Sequence, residues 1–453
     1  MVKDKKTGSD EVEKARTTTD ISLNNADIER LSDRLGDGEW YADERRRAWS
    51  VYETIPMPTV EEEAWRRTDI RAIPWEEMRP EGLRDNSEER ENTERVPELL
   101  KRPLAGNKQG GRIVVSGGTT EDRIVSDEVV GQGIIFSDLL NATREHSATV
   151  EKYLGRLVKM GDGKHAAMAG ALADQGVVVY VPRNVSITEP LHSVIWANRR
   201  TQFSRVLVIL EEGASLTYVH ELGSSSTEDQ RLHAGTVEVF VGDGANLTFV
   251  ELQTLGDEFA HFSHERAQVG RDGVLDWIFC SVGSKLTKTF LDLDLYGRGA
   301  RGRMSGFYFA AGDQHLDHDT QQNHLAEDQV SDLLFKGALR DESRSVWQGM
   351  INVAPGAQKA DGFQANRNIL LGSEARADSI PGLEIQADDV RCTHAATVGK
   401  LEDEHMFYLM SRGMDYEDAR KLIVDGFFDP IMQRIPFEGV RERLKDIVVG
   451  KME

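Results

Sequence analysis

The spacing of hydrophobic and polar residues changes twice along the chain. Near the N-terminus, apolar residues at helical spacing around Leu31 predict a helix that ends at Gly36. Residues 1–30 are expected to be largely a polar tail, and a second helix is expected over residues 43–52. The charged stretch 85–95 is poor in apolar residues and is predicted to be a loop or tether.

From about residue 112 the pattern changes to short apolar runs separated by Gly and Asp, which predicts strands. Residues 206–219 align with residues 237–250 without a gap, at an offset of 31 residues. Gly273 and Gly299 continue the repeat at slightly shorter spacing. A period of this size predicts stacked units that bury a continuous core only together.

Three architectures accommodate such a repeat: a solenoid of parallel strands, a β-sandwich of hairpins and a β-propeller. Propeller blades run closer to ~40 residues and carry their own signatures, which are absent here. A sandwich usually shows a turn signal about every 8–12 residues. The repeat therefore favours the solenoid, that is, a β-helix.

After residue 400 the helical period returns. A helix is predicted over residues 403–412, and Asp415 is expected to cap the next one, which ends at Gly426. A last helix is expected over residues 438–449. The second helix carries an apolar stripe, which consists of Tyr416, Ala419, Leu422 and Ile423.

The sequence thus predicts three parts. Residues 1–110 form an N-terminal tail and helical region, residues 111–395 form the β-helix core, and residues 396–453 form a C-terminal helical domain. The expected fold class is mainly β, with helical segments on both sides of the core.

Composition narrows the functional classes. The chain has 453 residues, a net charge of −22 and two cysteines, Cys280 and Cys392. Two cysteines exclude a disulfide framework and a four-thiolate metal site within one chain. The negative charge argues against nucleic acid as a partner. No membrane span or secretory segment is visible, so a cytoplasmic protein is expected.

The strongest candidate site joins the strand region to the C-terminal helices. Cys392 and His394 share one face if this segment is extended, with Cα atoms about 7 Å apart at ~3.3 Å per residue. A thiolate and an imidazole on one face make half a site for a soft transition metal, and a partner would supply the other ligands. The alternative is a buried Cys beside a hydrogen-bonded His. Cys280 follows an apolar run and is expected to lie in the core.

A second constellation invites a metal interpretation. His315, His318 and His324 occur within ten residues. In a strand, however, His315 and His318 point to opposite faces, while His318 and His324 share one. The alternative is a ladder of polar residues on solvated turns.

Six segments resemble the SufB/SufD family of iron–sulfur cluster assembly proteins, and within it the SufD branch. The resemblance is dense over residues 335–426 and loose over the rest of the strand region. The segments that carry it are residues 65–69 (Trp-Arg-Arg-Thr-Asp), 335–339, 349–353, 361–371, 381–394 and 407–413.

This resemblance implies a right-handed parallel β-helix flanked by helices. It implies a non-catalytic scaffold subunit that pairs with a SufB-like subunit through one end of the β-helix and binds a SufC-like ATPase through its C-terminal helices. Sulfur would arrive from a cysteine desulfurase. In the family, the His of a Cys-x-His-Gly-Ala-Thr motif lies at the subunit interface, and His394 matches it, with Cys392 beside it. Ala395 stands where the family has Gly.

On this reading the chain holds a transient iron–sulfur cluster at the partner interface, through His394 and Cys392, and no tightly bound cofactor when isolated. A homodimer is a further assembly for the chain alone. The ATPase would bind the apolar stripe, which comprises Tyr416, Ala419, Leu422 and Ile423.

Three alternatives remain. The first is a SufB-like main scaffold, which the low cysteine count disfavours. The second is a β-helix enzyme acting on acidic polysaccharides through Asp313, Asp317 and Asp319, which fits a −22 chain poorly. The third is a metalloenzyme that uses His315, His318 and His324.

Overall fold

The computed structural model describes residues 20–80, 83, 95–104 and 109–452. Helix α1 (Asn25–Leu35) begins at Asn24, which caps it, and ends at Gly36 with a φ of 65°. Its end confirms the predicted boundary, whereas its start shows that the predicted tail is too long. Helix α2 (Glu39–Thr54) confirms the second predicted helix. The predicted loop 85–95 lies outside the described residues, apart from its last residue.

Among the described residues, four further α-helices precede the strands that begin at Gln175, and three follow the last strand. They are α3 (Asp127–Gly131), α4 (Leu139–Glu145), α5 (Ser147–Tyr153), α6 (Lys164–Leu172), α7 (Asp403–Ser411), α8 (Tyr416–Met432) and α9 (Glu438–Met452).

The strands occupy the region where the sequence predicts them. They are β1 (Gly111–Ser116), β2 (Thr119–Val125), β3 (Ile135–Asp138), β4 (Gln175–Val181), β5 (Leu191–Trp196), β6 (Thr201–Leu210), β7 (Ser215–Gly223), β8 (Arg231–Val241), β9 (Asn246–Thr254), β10 (Phe259–Val269), β11 (Val274–Ser281), β12 (Leu286–Leu295), β13 (Arg301–Ala310), β14 (His315–His324), β15 (Val330–Leu339), β16 (Arg344–Val353), β17 (Asp361–Leu370), β18 (Arg376–Ile385) and β19 (Arg391–Lys400).

Strands β4 to β19 alternate between two sheets, with the even-numbered strands in one and the odd-numbered strands in the other. Neighbouring strands within each of these series are parallel; Val206 of β6, for example, pairs with Val237 of β8. Each successive pair of strands makes one turn of a parallel β-solenoid of about eight turns. The predicted β-helix flanked by N-terminal and C-terminal helical segments is confirmed, and the sandwich and propeller alternatives are wrong.

The sequence repeat corresponds to one turn of the solenoid. In the third unit, however, the glycine that continues the repeat in sequence, Gly273, lies one residue after the structurally equivalent position. Asn246 pairs with Val274, so Asp272 rather than Gly273 matches Gly244. Asp272 has a φ of 54°, close to the 63° of Gly244. The turn requires a left-handed backbone, which Asp tolerates better than most residues.

Helices cover the outer faces of both sheets. Helix α6 packs against the even-numbered sheet, α2 packs on α6, and α1 packs on α2. Trp49 and Met168 of these helices belong to the same buried cluster as Phe203 and Phe262 of the sheet. Helices α8 and α9 pack against the odd-numbered sheet, whose outward side chains include Cys280. Cys280 is fully buried there, which confirms its predicted core position. Within the described residues, none of the helices is long and apolar enough to span a bilayer.

Helix α8 corrects one predicted boundary. Asp415 caps it as expected, accepting a 2.8 Å hydrogen bond from the backbone N–H of Asp418. The helix does not end at Gly426, however, but continues through Pro430 to Met432. Its buried face, which includes Phe428, packs on the solenoid and stabilises the helix beyond these two breakers.

Candidate functional site

The last turn of the solenoid has an uncovered end, which we call the open end and define as strands β18 and β19. Each pairs with one neighbour, β16 and β17 respectively, and each is the last strand of its sheet among the described residues. The opposite end of the solenoid differs, because β2 and β3 close it by pairing antiparallel with β1 and β4. The open end therefore presents two unpaired strand edges of ten residues each.

Cys392 and His394 lie on the inward face of β19. Their register partners in β17 are Gly362 and Gln364, both of which are buried inside the solenoid. The alternation of side chains along a strand then places Cys392 and His394 on the same, inward face. The predicted common face of the two residues is confirmed. A further turn stacked on β19 would cover these inward side chains.

The two side chains differ in exposure. Cys392 is half-buried beside an apolar cluster that includes Val390 and Ile351. Burial raises the pKa of its thiol, and a hydrogen bond from the backbone of Gly362 partly offsets this rise. His394 is exposed, and no described residue hydrogen-bonds to its ring. The open end thus offers an unpaired imidazole next to a protonated thiol.

Apolar side chains surround this pair on the open end. Leu383 and Ile385 of β18 are 37% and 42% exposed, although their partners one turn below, Ile351 and Val353, are fully buried. Val398 of β19 is 45% exposed. These residues belong to the core pattern of the solenoid and are exposed because no further turn follows.

The three histidines of the second constellation do not converge. All lie on β14, where His318 and His324 are fully buried in the solenoid interior. His315 faces outward, with its Nε2 2.9 Å from Oγ1 of Thr68. His318 and His324 are six residues apart, roughly 20 Å along a strand. Within the described part of the chain, no group of three His, Cys, Asp or Glu is placed to hold a metal ion.

The three aspartates are engaged in ion pairs. Asp317 and Asp319 each lie 3.0 Å from Nζ of Lys288, and the ion pair between Lys288 and Asp317 is fully buried. Asp313 is exposed and lies 2.8 Å from Nζ of Lys285. The arrangement resembles a structural network more than a pair of catalytic carboxylates in a groove.

Two protein-family models match this chain. Residues 194–427 match the model described as SUF system FeS cluster assembly, SufBD core domain. Residues 110–192 match the model of the SufBD protein N-terminal region. The chain belongs to the SufBD family. The core match includes the open end with Cys392 and His394, together with most of helix α8.

Relatives in the family match almost the full length of the chain. The iron–sulfur cluster assembly protein SufD of Bacillus subtilis is 29% identical over 442 residues, which cover 96% of this chain and 99% of that protein. SufBD family proteins of Staphylococcus haemolyticus and Staphylococcus saprophyticus are each 28% identical and cover 91% of this chain. The predicted family is thereby confirmed, and a SufD protein is among the relatives that match the chain over almost its full length.

The segment at residues 65–69, which carries part of the SufBD resemblance, packs on the outside of the solenoid. Trp65 is buried with its ring centroid 5.3 Å from that of His165 and 6.0 Å from that of Phe290. Thr68 donates a hydrogen bond to the buried carboxylate of Asp317. Trp65 is therefore a packing anchor, and the segment attaches the N-terminal region to the fifth and sixth turns.

The predicted partner-binding stripe on α8 is divided between two environments. Tyr416 and Leu422 are 51% and 49% exposed, and Ile423 is half-buried. Ala419 is fully buried within the chain, so a partner cannot reach it without rearrangement. Helix α7 adds exposed apolar residues that sequence reasoning missed. Together they form the C-terminal patch, which consists of Phe407, Tyr408, Met410, Tyr416 and Leu422.

The solenoid interior also holds a buried polar cluster that the strand pattern did not reveal. His233 and His261 approach to 2.9 Å through their Nδ1 atoms, and burial keeps the pKa of both well below the usual range. Burial raises the pKa of Glu251 to about 7 and that of Glu265 well above its usual range. Ser263 donates a 2.6 Å hydrogen bond to Glu265. The two histidines lie on β8 and β10 of one sheet, and the two glutamates lie on β9 and β10 of different sheets, so the register of the solenoid is needed to bring each pair together.

Proposed function

We propose that this SufBD-family chain is a non-catalytic scaffold subunit of an iron–sulfur cluster assembly complex. A SufB-like subunit pairs with the open end, and a SufC-like ATPase binds the C-terminal patch. The nascent cluster, with sulfur from a cysteine desulfurase, is the cargo of the complex. His394 and Cys392 contribute ligands to it from this side of the interface.

The exposed imidazole of His394 on the inward face of the open end is the observation that carries this proposal. Metal ligation requires a lone pair on a ring nitrogen, and no described residue competes for this ring by a hydrogen bond. The chain offers only Cys392 as a nearby thiol, because Cys280 is buried on the other side of the sheet. A cluster that prefers thiolate ligands must obtain the rest from a partner.

The strand edges support a partner at the same place. An exposed edge strand is a template for pairing with another chain. Strand β19 has ten residues and carries no proline, while β18 carries Pro381 near its centre, which removes one backbone donor. Stacking a partner strand on β19 would also cover Val398, which is 45% exposed.

The C-terminal patch supports the second partner. Phe407 and Tyr408 are 74% and 55% exposed, although they lie within a helix that packs on α8. Large apolar and aromatic side chains exposed along one helical segment are typical of protein interfaces. The patch lies on α7 and α8 rather than on β18 and β19, so the two proposed partners contact different residues of the chain.

The test for the site uses His394→Ala in the co-expressed complex, without a wild-type copy of the chain. We expect the complex to assemble normally and its iron and sulfide content to fall about tenfold, because one cluster ligand is lost. His146→Ala, on the helical region before the solenoid, is the matched control and should leave cluster content unchanged. Normal iron and sulfide in the His394→Ala complex would refute the role of this residue.

The test for the patch uses Phe407→Asp and Leu422→Asp. Each places a charge in an apolar contact, so co-purification of the ATPase should be lost while the solenoid stays folded and the SufB-like subunit stays bound. Val130→Asp, at a residue that is 63% exposed on α3, is the control. Retention of the ATPase by both patch variants would show that it binds elsewhere.

A further inference from the structure

Gly362 leaves a space between two metal-binding side chains. It lies inward on β17, directly below Cys392 in the register. A Cβ atom at this position would lie 3.2 Å from Sγ of Cys392, 3.3 Å from Nε2 of His324 and 3.2 Å from Cγ2 of Ile351. The thiol and the imidazole therefore approach the same point from different strands, with a methyl group of Ile351 on a third side, and the glycine contributes no side chain there.

The hydrogen bonds around His324 favour a lone pair on the nitrogen nearest this space. His324 is fully buried, with Nε2 2.8 Å from Oγ of Ser331. Gln322 donates a 2.6 Å hydrogen bond to the same Oγ, so the Ser331 hydroxyl keeps its own proton for Nε2. The Nδ1 atom of His324 has no hydrogen-bond partner among the described residues. An unprotonated Nε2 is the form of imidazole that binds a metal.

We propose that Cys392 and His324 bind one soft divalent metal ion in the space beside Gly362. Metal–sulfur and metal–nitrogen bonds of about 2.3 Å and 2.1 Å require each side chain to move by roughly 1 Å toward that point. The thiol releases its proton to solvent as the sulfur–metal bond forms. Ser331 loses its contact to His324 but retains the hydrogen bond from Gln322.

This inference deepens the proposed function and rests on it for the identity of the ion, which would be the ferrous iron of the nascent cluster. It assigns Cys392 a buried ligand partner within its own chain. His394 then remains directed to the partner subunit. Two protein ligands leave the remaining coordination positions for sulfide, solvent or the partner, in line with the absence of any three-ligand group among the described residues.

The experiment uses the full chain and Cd²⁺ as a soft divalent probe, followed by the sulfur-to-metal charge-transfer absorbance. Cys392→Ser should abolish the signal. His324→Leu, and the more conservative His324→Gln, should weaken Cd²⁺ affinity at least about tenfold. Gly362→Ala should do the same, because its methyl group fills the space. Gly399→Ala on β19, where no atom lies within 4 Å of the new methyl group, is the matched control.

His394→Ala separates this inference from the proposed function. We expect it to retain Cd²⁺ binding in the isolated chain while lowering cluster content in the complex. If the His324 variants, folded by circular dichroism, bind Cd²⁺ as tightly as the unmodified chain, the Cys392–His324 site is refuted and the role of His394 is unaffected. Loss of Cd²⁺ binding in His394→Ala but not in the His324 variants would also refute it. A normal cluster content in the His394→Ala complex instead refutes the proposed function.

Discussion

Replacement of Lys288 by Met tests the buried ion network that attaches the N-terminal segment to the solenoid. Nζ of Lys288 lies 3.0 Å from carboxylate oxygens of both Asp317 and Asp319, and the side chains of Lys288 and Asp317 are fully buried. Met has a similar length and no charge. The variant therefore leaves a buried carboxylate without its cation while packing volume changes little. Breaking a buried ion pair in this way costs about 3–5 kcal/mol of unfolding free energy.

The loss should depend on pH in a defined direction. Burial raises the pKa of Asp317 and raises that of Asp319 to about 6, although Lys288 lowers both. Without Lys288 the two folded-state pKa values rise further. A carboxyl with a raised folded-state pKa has its full stability below the unfolded pKa and loses it as pH rises through the folded pKa. The variant should therefore be destabilised most at pH 7.5 and much less at pH 5.

Guanidinium unfolding followed by circular dichroism at these two pH values measures the effect. The control is Lys285→Met, because Lys285 and its partner Asp313 are more than half exposed and their ion pair should contribute little. A loss below about 1 kcal/mol at pH 7.5 would refute the reasoning, since that is the size of an exposed pair. Equal losses at pH 5 and pH 7.5 would also refute it, because they would show that charge is not the cause.

Three smaller predictions follow from single residues. Neither ring nitrogen of His318 has a hydrogen-bond partner among the described residues, and the ring stacks 5.2 Å from Tyr308. His318→Leu should therefore raise the unfolding free energy by about 1 kcal/mol. Burial lowers the pKa of His318 to about 3, so only the unfolded state takes up a proton as pH falls below about 6.5. The His318→Leu variant should therefore lose less thermal stability between pH 7.5 and pH 5 than the unmodified chain does. Gly337→Ala places a methyl group against the Tyr308 ring and should lower the free energy of chemical unfolding by about 1–3 kcal/mol, unlike Gly399→Ala. Asp415→Ala removes the cap of α8 and should cost about 1 kcal/mol, seen as faster amide exchange in its first turn.

The repeat explains why the solenoid was predictable and why its register was not. Val206 and Val237 are aligned in sequence and paired in space, because the strand pattern of each turn is set by the same inward side chains. The turn residue is less informative. One left-handed position recurs in successive turns, and Gly299 occupies it in one turn while Asp328 and Lys359 occupy it in the next two. A search for Gly therefore loses the register where other residues adopt the same backbone.

The C-terminal helices show how tertiary contacts override local signals. Gly426 and Pro430 both predict the end of a helix, yet α8 passes through them. Pro430 lies four residues after Gly426, and the ring of a helical proline meets the carbonyl group of the residue four positions earlier. In α8 that residue is therefore a glycine. Val424 and Phe428 pack on the solenoid on either side of this point. Burial of these residues stabilises the helix, and no local sequence pattern reports it.

The candidate site was predictable only in part, for the same reason. Cys392 and His394 share a face because they are two residues apart on a strand, which the sequence already indicates. Their inward direction follows from pairing with Gly362 and Gln364, which requires the sheet register. The approach of His324 to Cys392 does not follow even from the register of that sheet, because His324 lies on β14 in the other sheet. Sequence reasoning grouped His324 with its neighbours along the chain and so missed the thiol across the interior.

The open end also distinguishes between the two assemblies proposed for the chain, a homodimer and a complex with a SufB-like subunit. In a homodimer joined at β18 and β19, each copy contributes one imidazole and one half-buried thiol, His394 and Cys392, because Cys280 lies buried under the C-terminal helices. Two thiols in total are few for an iron–sulfur cluster, which proteins usually hold through four thiolates. A partner of the same fold with more cysteines would supply the missing ligands and cover the same strand edges. The scarcity of cysteine in this chain therefore favours the proposed heteromeric complex, rather than the proposed homodimer, as the state that assembles clusters.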